Sequence, residues 1–156
     1  MARYYKSKHQ RRFASLDVNC DKKMLMAGDN CGYIHLLSTG RDNVTKVANV
    51  SQSVHNGHIL HCEFNPVQPH IIVTSSVDRL VKIWDLRMIS RNPKPVFKHE
   101  FKFPLNAATF NPSNGATLVV ADNREQIAIF RGPTWEKELV VRHAHHQYQM
   151  NSLLKV

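Results

Sequence analysis

The sequence is poor in the features that mark most chemistries. Its 156 residues include three cysteines, Cys20, Cys31 and Cys62, none in a CxxC spacing. An odd, scattered set argues against a disulfide framework or a structural zinc site, and the three read as buried or half-buried thiols. No run approaches the roughly 18 apolar residues needed to cross a bilayer, so no membrane partner is expected. The leading stretch MARYYKSKHQRR has no apolar core for a signal peptide, which places the chain in the cytosol or nucleus. Nucleophile elbow, P-loop, HExxH and paired-carboxylate patterns are missing, so neither catalysis nor a cofactor is expected. The tract His143, His145 and His146 has no carboxylate or second Cys/His pair at ligand spacing, and a metal site is not expected there. Acids are scarce as well. There are 12 Asp and Glu against 21 Lys and Arg, a net charge of +9, and no acid precedes Asp17. That excess favours an anionic partner such as nucleic acid.

Helical periodicity is also absent; no segment sustains a 3.6-residue pattern over three turns. What is present is a repeat. SLDVNCDKKMLMAGDNCGYIHLL, HCEFNPVQPHIIVTSSVDRLVKIWD and AATFNPSNGATLVVADNREQIAIF align, with last apolar positions at Leu37, Trp84 and Phe130, spaced by 47 and 46 residues. Asp29 and Asp122 each lie eight residues before the end of their copy. In the middle copy Ser76 takes that place, with Asp78 two residues later. Each copy runs through the same signals: an alternating strand, an Asn-Pro or polar turn, an apolar strand, a second polar turn, a β-rich strand and an irregular fourth one, such as 96–101. The period matches a WD-type blade. The fold class is therefore all-β, a partial WD-repeat β-propeller of about three four-stranded blades plus the start of another at 153–156. Residues 1–12 read as a basic leading segment or interblade connection, and 13–156 as the partial propeller. The next repeat would end near position 176, so the sequence is expected to be a fragment. The middle copy carries Trp84-Asp85 in VKIWDLR, with His55 and Asp78 upstream. Trp84 and Asp78 are expected to be structural, tying strand to turn.

Antiparallel alternation sorts the loops onto two faces. One face gathers Lys6–Arg12, His55-Asn56-Gly57-His58, Phe101-Lys102-Phe103 and the stretch from His143 to Met150. Basic, imidazole and aromatic groups together suit phosphate contacts plus stacking or wedging at bases; the alternative is that the loops are polar as loops generally are, and that Phe101 and Phe103 alternate out of a strand into the core.

These residues also carry a family likeness. SLDVNCDKKMLMAGDNCGYIHLL, HNGHILHCEFNP, TSSVDRLVKIWDLR, PLNAATFNPSNGATL and RHAHHQYQMNSLLKV, in this order and spacing, resemble the WD-repeat subunit of the ultraviolet-damaged-DNA-binding complex. The match runs from about Phe13 to Val156 and covers a middle portion of that family's propeller. The resemblance implies a nuclear protein that binds damaged double-stranded DNA for nucleotide excision repair. In that family a hairpin with a Phe-Gln-His tip enters the minor groove at the lesion. Its counterpart here is Tyr148-Gln149-Met150, implied to fill the space left by the extruded lesion, whose poor stacking lowers the cost of extrusion. His58 stands at a family lysine position, Lys102 aligns with a family arginine on the same face, and Val50 replaces a lesion-pocket Trp. On the opposite face, Asp85 and Arg87 resemble the Asp-Trp-Asp box and following Arg of substrate receptors for cullin-4 ubiquitin ligases. There the Arg docks on the large damage-binding adaptor. The family's N-terminal helical docking element has no counterpart in this sequence. A generic WD scaffold that binds only protein is the alternative reading.

Overall fold

The computed structural model describes residues 10–21, 23–38, 50–89, 93–124 and 126–142. Among the described residues, twelve strands form three antiparallel sheets of four, each in simple chain order. The first blade holds β1 (Phe13–Asn19), β2 (Met24–Asp29), β3 (Tyr33–Ser38) and β4 (Val50–Ser53). The second holds β5 (Ile59–Phe64), β6 (Ile71–Ser76), β7 (Leu80–Asp85) and β8 (Phe97–Glu100). The third holds β9 (Leu105–Phe110), β10 (Thr117–Asp122), β11 (Gln126–Arg131) and β12 (Glu136–Arg142). The chain is an all-β partial propeller, as the repeat predicts. The irregular fourth strand of the middle repeat is shorter than 96–101, because pairing with β7 spans only Phe97 to Glu100.

Period-two alternation explains how the blades stack, since successive side chains leave a strand on opposite faces. In β6, Ile72 joins a core with Met26, Ile34, Leu36 and Trp84 from the first two blades. Its neighbour Val73 points the other way, into a core with Leu105, Leu118, Val120 and Phe130 of the third. The middle blade is thus buried on both sides. The outer side of the first blade is not covered among the described residues. Phe13 and Leu16 are about two-thirds exposed there, at 65% and 63%.

The first strand of each blade lies against the first strand of the next, β1 on β5 and β5 on β9. These are sheet-edge strands, and their outward N–H groups need partners. Side chains of the preceding blade supply them. Ser15 Oγ accepts from Cys62 N–H at 2.8 Å, and Asp17 Oδ2 from Phe64 N–H at 2.7 Å. One repeat later, Glu63 Oε1 accepts from Phe110 N–H at 3.0 Å.

Within the middle blade, four side chains form a chain of hydrogen bonds that is buried except at Asp78, its partly exposed end. Trp84 Nε1–H donates to Thr74 Oγ1 at 2.9 Å, and Thr74 Oγ1 meets His55 Nε2 at 2.7 Å. His55 Nδ1 reaches both oxygens of Asp78, at 3.0 and 2.9 Å. Asp78 also accepts from the Asn56 and Leu80 N–H groups. The roles are consistent if His55 is neutral with its proton on Nδ1: it donates to Asp78 and accepts the Thr74 hydroxyl. The sequence expectation that Trp84 and Asp78 are structural holds. Thr74→Val keeps the side-chain shape but strands the indole N–H and His55 Nε2 in the core. It should cost about 1–3 kcal/mol, read as a lower urea midpoint at unchanged slope. A midpoint equal to wild type would mean that the chain of bonds carries no net stability.

Candidate nucleic-acid interface

The face with the basic loops is built from two recurring backbone bonds. In the first, the turn between the second and third strands of each blade bonds the connection entering the first strand. Asn30 N–H reaches Arg12 C=O at 3.0 Å, Val77 reaches His58 at 3.0 Å and Asn123 reaches Pro104 at 2.9 Å. In the second, the end of a blade's fourth strand bonds the same turn, as Val54 N–H to Gly32 C=O and Phe101 N–H to Arg79 C=O, both at 2.9 Å. Each repeat therefore lays its connection along its hairpin turn in the same way. Gly32 is required in this lattice. Its φ is +83°, and a Cβ there would overlap the His55 carbonyl oxygen.

Cations project from this framework. Arg11 lies 4.6 Å over the Tyr33 ring and reaches Asp29 Oδ2 at 3.3 Å. Asp29 is fully buried; it also accepts the Cys31 and Tyr33 N–H groups and pairs with His35 Nε2 at 2.9 Å. Arg79 pairs with Glu100 at 2.8 Å. In the third blade Lys102, Arg124 and Arg142 are exposed and line one cavity with Phe103, Asp122 and Gln126.

Among the described residues, Lys102 and His58 lie on one face and Asp85 and Arg87 on the other. Lys102 stands on the basic face, its Nζ 5.4 Å from the Phe103 ring centre. His58 stands there too, but only half-exposed; its Nε2 is enclosed without a hydrogen-bond partner among the described residues. For Phe101 the core alternative holds. It does not belong to the aromatic surface of this face: at 5% exposure it packs in the core beside Leu105 and Phe130. Its N–H is bound to Arg79 at the edge of the blade, and strand alternation turns the ring inward. Phe103 is the aromatic of that loop which remains half-exposed. Asp85 and Arg87 lie together on the opposite face, at the end of β7. Arg87 Nε and Nη2 fork onto the Asp85 carboxylate at 2.9 and 2.6 Å, and hydrogen bonding from that guanidinium holds Asp85 below the usual carboxylate range. The Arg87 side chain is 67% exposed. Sequence reading did not single out Arg124 or Arg142. The same loop alternation that found Lys102 would have found both, one in a second-to-third-strand turn and one at a fourth-strand end.

No family model matches the chain. Curated relatives do. It is 33% identical over 138 residues to zebrafish (Danio rerio) DNA damage-binding protein 2, covering 88% of this chain and 27% of that protein. It is 36% identical over 140 residues to the chicken (Gallus gallus) protein of the same name, covering 88% and 26%.

The chain belongs to the DNA damage-binding protein 2 family.

It spans between about a quarter and a third of the length of these relatives. The Arabidopsis thaliana protein DAMAGED DNA-BINDING 2 is 29% identical over 116 residues, 72% of this chain and 20% of that one. A chain in the crystal structure of the mitotic checkpoint complex superposes with a TM-score of 0.64 at 18% identity, covering 77% of this chain and 35% of that one; this likeness shows the propeller fold alone. Of the residues marked by the resemblance to the DNA damage-binding protein 2 family, His58, Lys102, Asp85 and Arg87 are placed as described above. Tyr148, Gln149 and Met150 lie outside the described residues, as does the histidine tract.

The loop from His55 to His58 is anchored by groups that titrate. Burial pushes the His55 pKa below its ordinary 6.5, against the opposing pull of Asp78. Burial also pushes Asp78 up, but hydrogen bonds from His55 and from the Asn56 and Leu80 N–H groups outweigh it and hold it at about 2. The signs differ in their windows. As pH falls through 6.5, the unfolded chain takes up a proton that folded His55 refuses, so stability drops there. The Asp78 contribution is present above 3.8 and is lost as pH falls from there toward 2. The urea midpoint should therefore fall between neutral and mildly acidic pH, and His55→Asn should flatten that part of the profile. Parallel profiles for the two proteins would remove His55 as the titrating group.

Proposed function

We propose that this chain is the damage-recognition part of a DNA-binding propeller. Its basic face takes damaged double-stranded DNA, and the face bearing Asp85 and Arg87 docks the large adaptor of a cullin-4 ubiquitin ligase. It acts in the nucleus, in nucleotide excision repair, and by binding without catalysis. The observation that carries the reading is the gathering of Arg11, Arg12, Arg79, Lys102, Arg124 and Arg142 on connections and turns of one face, in a chain whose relatives are named for binding damaged DNA. Phosphate contacts fix orientation but do not identify a lesion. Discrimination then falls to Tyr148, Gln149 and Met150: a planar ring and a flexible apolar chain to occupy a vacated stack, and an amide to bond the orphaned bases. Such a mechanism reads deformability, not sequence.

The deciding experiment compares affinities for matched damaged and intact duplexes at two salt concentrations. Preference for damage that persists as salt rises supports the reading, because phosphate contacts weaken equally on both duplexes. Equal affinity for the two duplexes overturns damage recognition, and binding to neither decides for a scaffold that binds only protein, a reading favoured by the exposed apolar side of the first blade.

Changing Tyr148, Gln149 and Met150 together to alanine should weaken binding to damaged duplex by several kcal/mol, at about 1–3 kcal/mol per stacked base. Binding to intact duplex should survive, and stability should shift by no more than about 0.5 kcal/mol, as for surface sites. Equal losses on both duplexes, or a collapse in melting temperature, would return these residues to ordinary loop positions.

Arg87→His should weaken co-purification with the adaptor while leaving affinity for damaged DNA unchanged. Retention of the adaptor at wild-type level would leave Arg87 as no more than the partner of Asp85.

A further inference from the structure

We propose that the cavity between Lys102, Arg124 and Arg142 is a seat for a single backbone phosphate of a DNA strand. The inference rests on the DNA-binding reading above and names a site within that face. Its cations come from three separate elements: the connection into β9, the turn between β10 and β11, and the end of β12. They line a cavity of about 260 Å³ with Phe103, Asp122 and Gln126.

Four arginines elsewhere, Arg11, Arg79, Arg87 and Arg131, each have a carboxylate within 4.0 Å. Lys102, Arg124 and Arg142 have none among the described residues. Like charges this close repel, and one feature offsets the repulsion. Lys102 Nζ and Arg124 Cζ lie 5.4 and 5.5 Å from the centre of the Phe103 ring, whose negative π-face attracts both. The aromatic ring gathers two cations without neutralising them, which suits a site for an incoming anion.

A comparison between blades shows why the cavity forms here. In the middle blade His55 meets Asp78, and Thr74 and Trp84 complete the chain of bonds. One repeat on, the corresponding residues are Lys102, Val120 and Phe130, which cannot form that chain. In the first blade the turn carboxylate Asp29 is met at Oδ2 by His35 and Arg11. In the third, Asp122 Oδ1 accepts the Arg124 and Gln126 N–H groups at 2.8 and 3.0 Å. Its Oδ2 is enclosed without a partner among the described residues, in a side chain only 6% exposed. Among the described residues, the third blade thus keeps the turn but leaves three cations without a carboxylate partner beside Asp122.

At about 260 Å³ the cavity has room for a phosphate with part of its sugar. Guanidinium forks match phosphate oxygens bidentately, and Gln126 adds an amide.

The test uses the full chain and fluorescence anisotropy against salt, on intact and damaged duplexes. Each phosphate neutralised contributes about 0.9 to the slope of log affinity on log salt. The triple variant Lys102→Ala, Arg124→Ala, Arg142→Ala should lose about 0.9 on both duplexes, because all three cations serve one phosphate. A loss near 2.7 would mean three separate phosphates, and no loss would mean no contact; either overturns the seat. Wild type binding both duplexes equally would sink the damage-recognition reading and leave this slope test standing. Asp122→Asn keeps the Oδ1 cap and removes the negative charge facing the phosphate. It should bind both duplexes several-fold more tightly at unchanged melting temperature; unchanged affinity overturns the assignment. A phosphoserine peptide that binds the wild type more tightly than duplex, and loses that binding in the triple variant, would assign the cavity to a phosphoprotein instead.

Discussion

The whole arrangement depends on how one blade's inner edge is satisfied by its neighbour. A four-stranded sheet whose first strand faces the next blade has N–H groups that no ladder can pair. Asp17 and Glu63, one repeat apart, accept the Phe64 and Phe110 N–H groups across that gap. Burial pushes the Glu63 pKa up, but hydrogen bonds from His61, Thr109 and Phe110 outweigh it and hold it below its ordinary value. The carboxylate therefore stays ionised where it is needed as an acceptor. A charge-assisted bond of this kind is worth more than a neutral one and is directional, whereas the apolar packing between blades is not. The acid side chains set blade against blade, and the position of every connection on the rim follows from them.

The three blades solve the problem of the second-to-third-strand turn in three ways. The middle blade uses a neutral imidazole between a carboxylate and a hydroxyl. The first uses a buried carboxylate with an imidazole and an arginine. The third keeps the carboxylate and drops the rest. The backbone bonds from turn to connection are the same in all three, so the variation lies in side chains alone. A repeat fold can change one blade's rim chemistry without disturbing the others, because each blade touches only its neighbours.

The fold was legible because its signal is periodic. Strand alternation, polar turns and the spacing of Leu37, Trp84 and Phe130 each appear three times, and each copy checks the others. The structural roles of Trp84 and Asp78 were legible from a different signal, the Trp-Asp motif, which among the three copies only the middle one carries. The site was legible only as a face. Loop alternation placed Lys102 and His58 on one side and Arg87 on the other, but sequence cannot show which way a ring turns. Phe101 and Phe103 are two residues apart and would share a face in a continuing strand; β8 ends at Glu100, and the bend at 102–103 separates the core residue from the half-exposed one. The half-enclosed ring of His58 and the convergence of Arg124 and Arg142 on Lys102 depend on contacts between segments distant in sequence. No local pattern encodes them.

The two faces are joined by short rigid strands. The six residues of β7 run from the turn after Asp78 to Asp85, a rise of about 3.3 Å per residue, or roughly 20 Å in all. One end of the strand stands on the basic face and the other presents Arg87. With Val81, Ile83 and Trp84 buried at 0%, 0% and 2% exposure, the strand is fixed by packing on both of its sides. If the two faces take the partners proposed above, the strand would hold them at a set distance and orientation without their blocking each other. No conformational change is required to bring a ligand on one face into register with a ligand on the other. The geometry of the blade itself does that work.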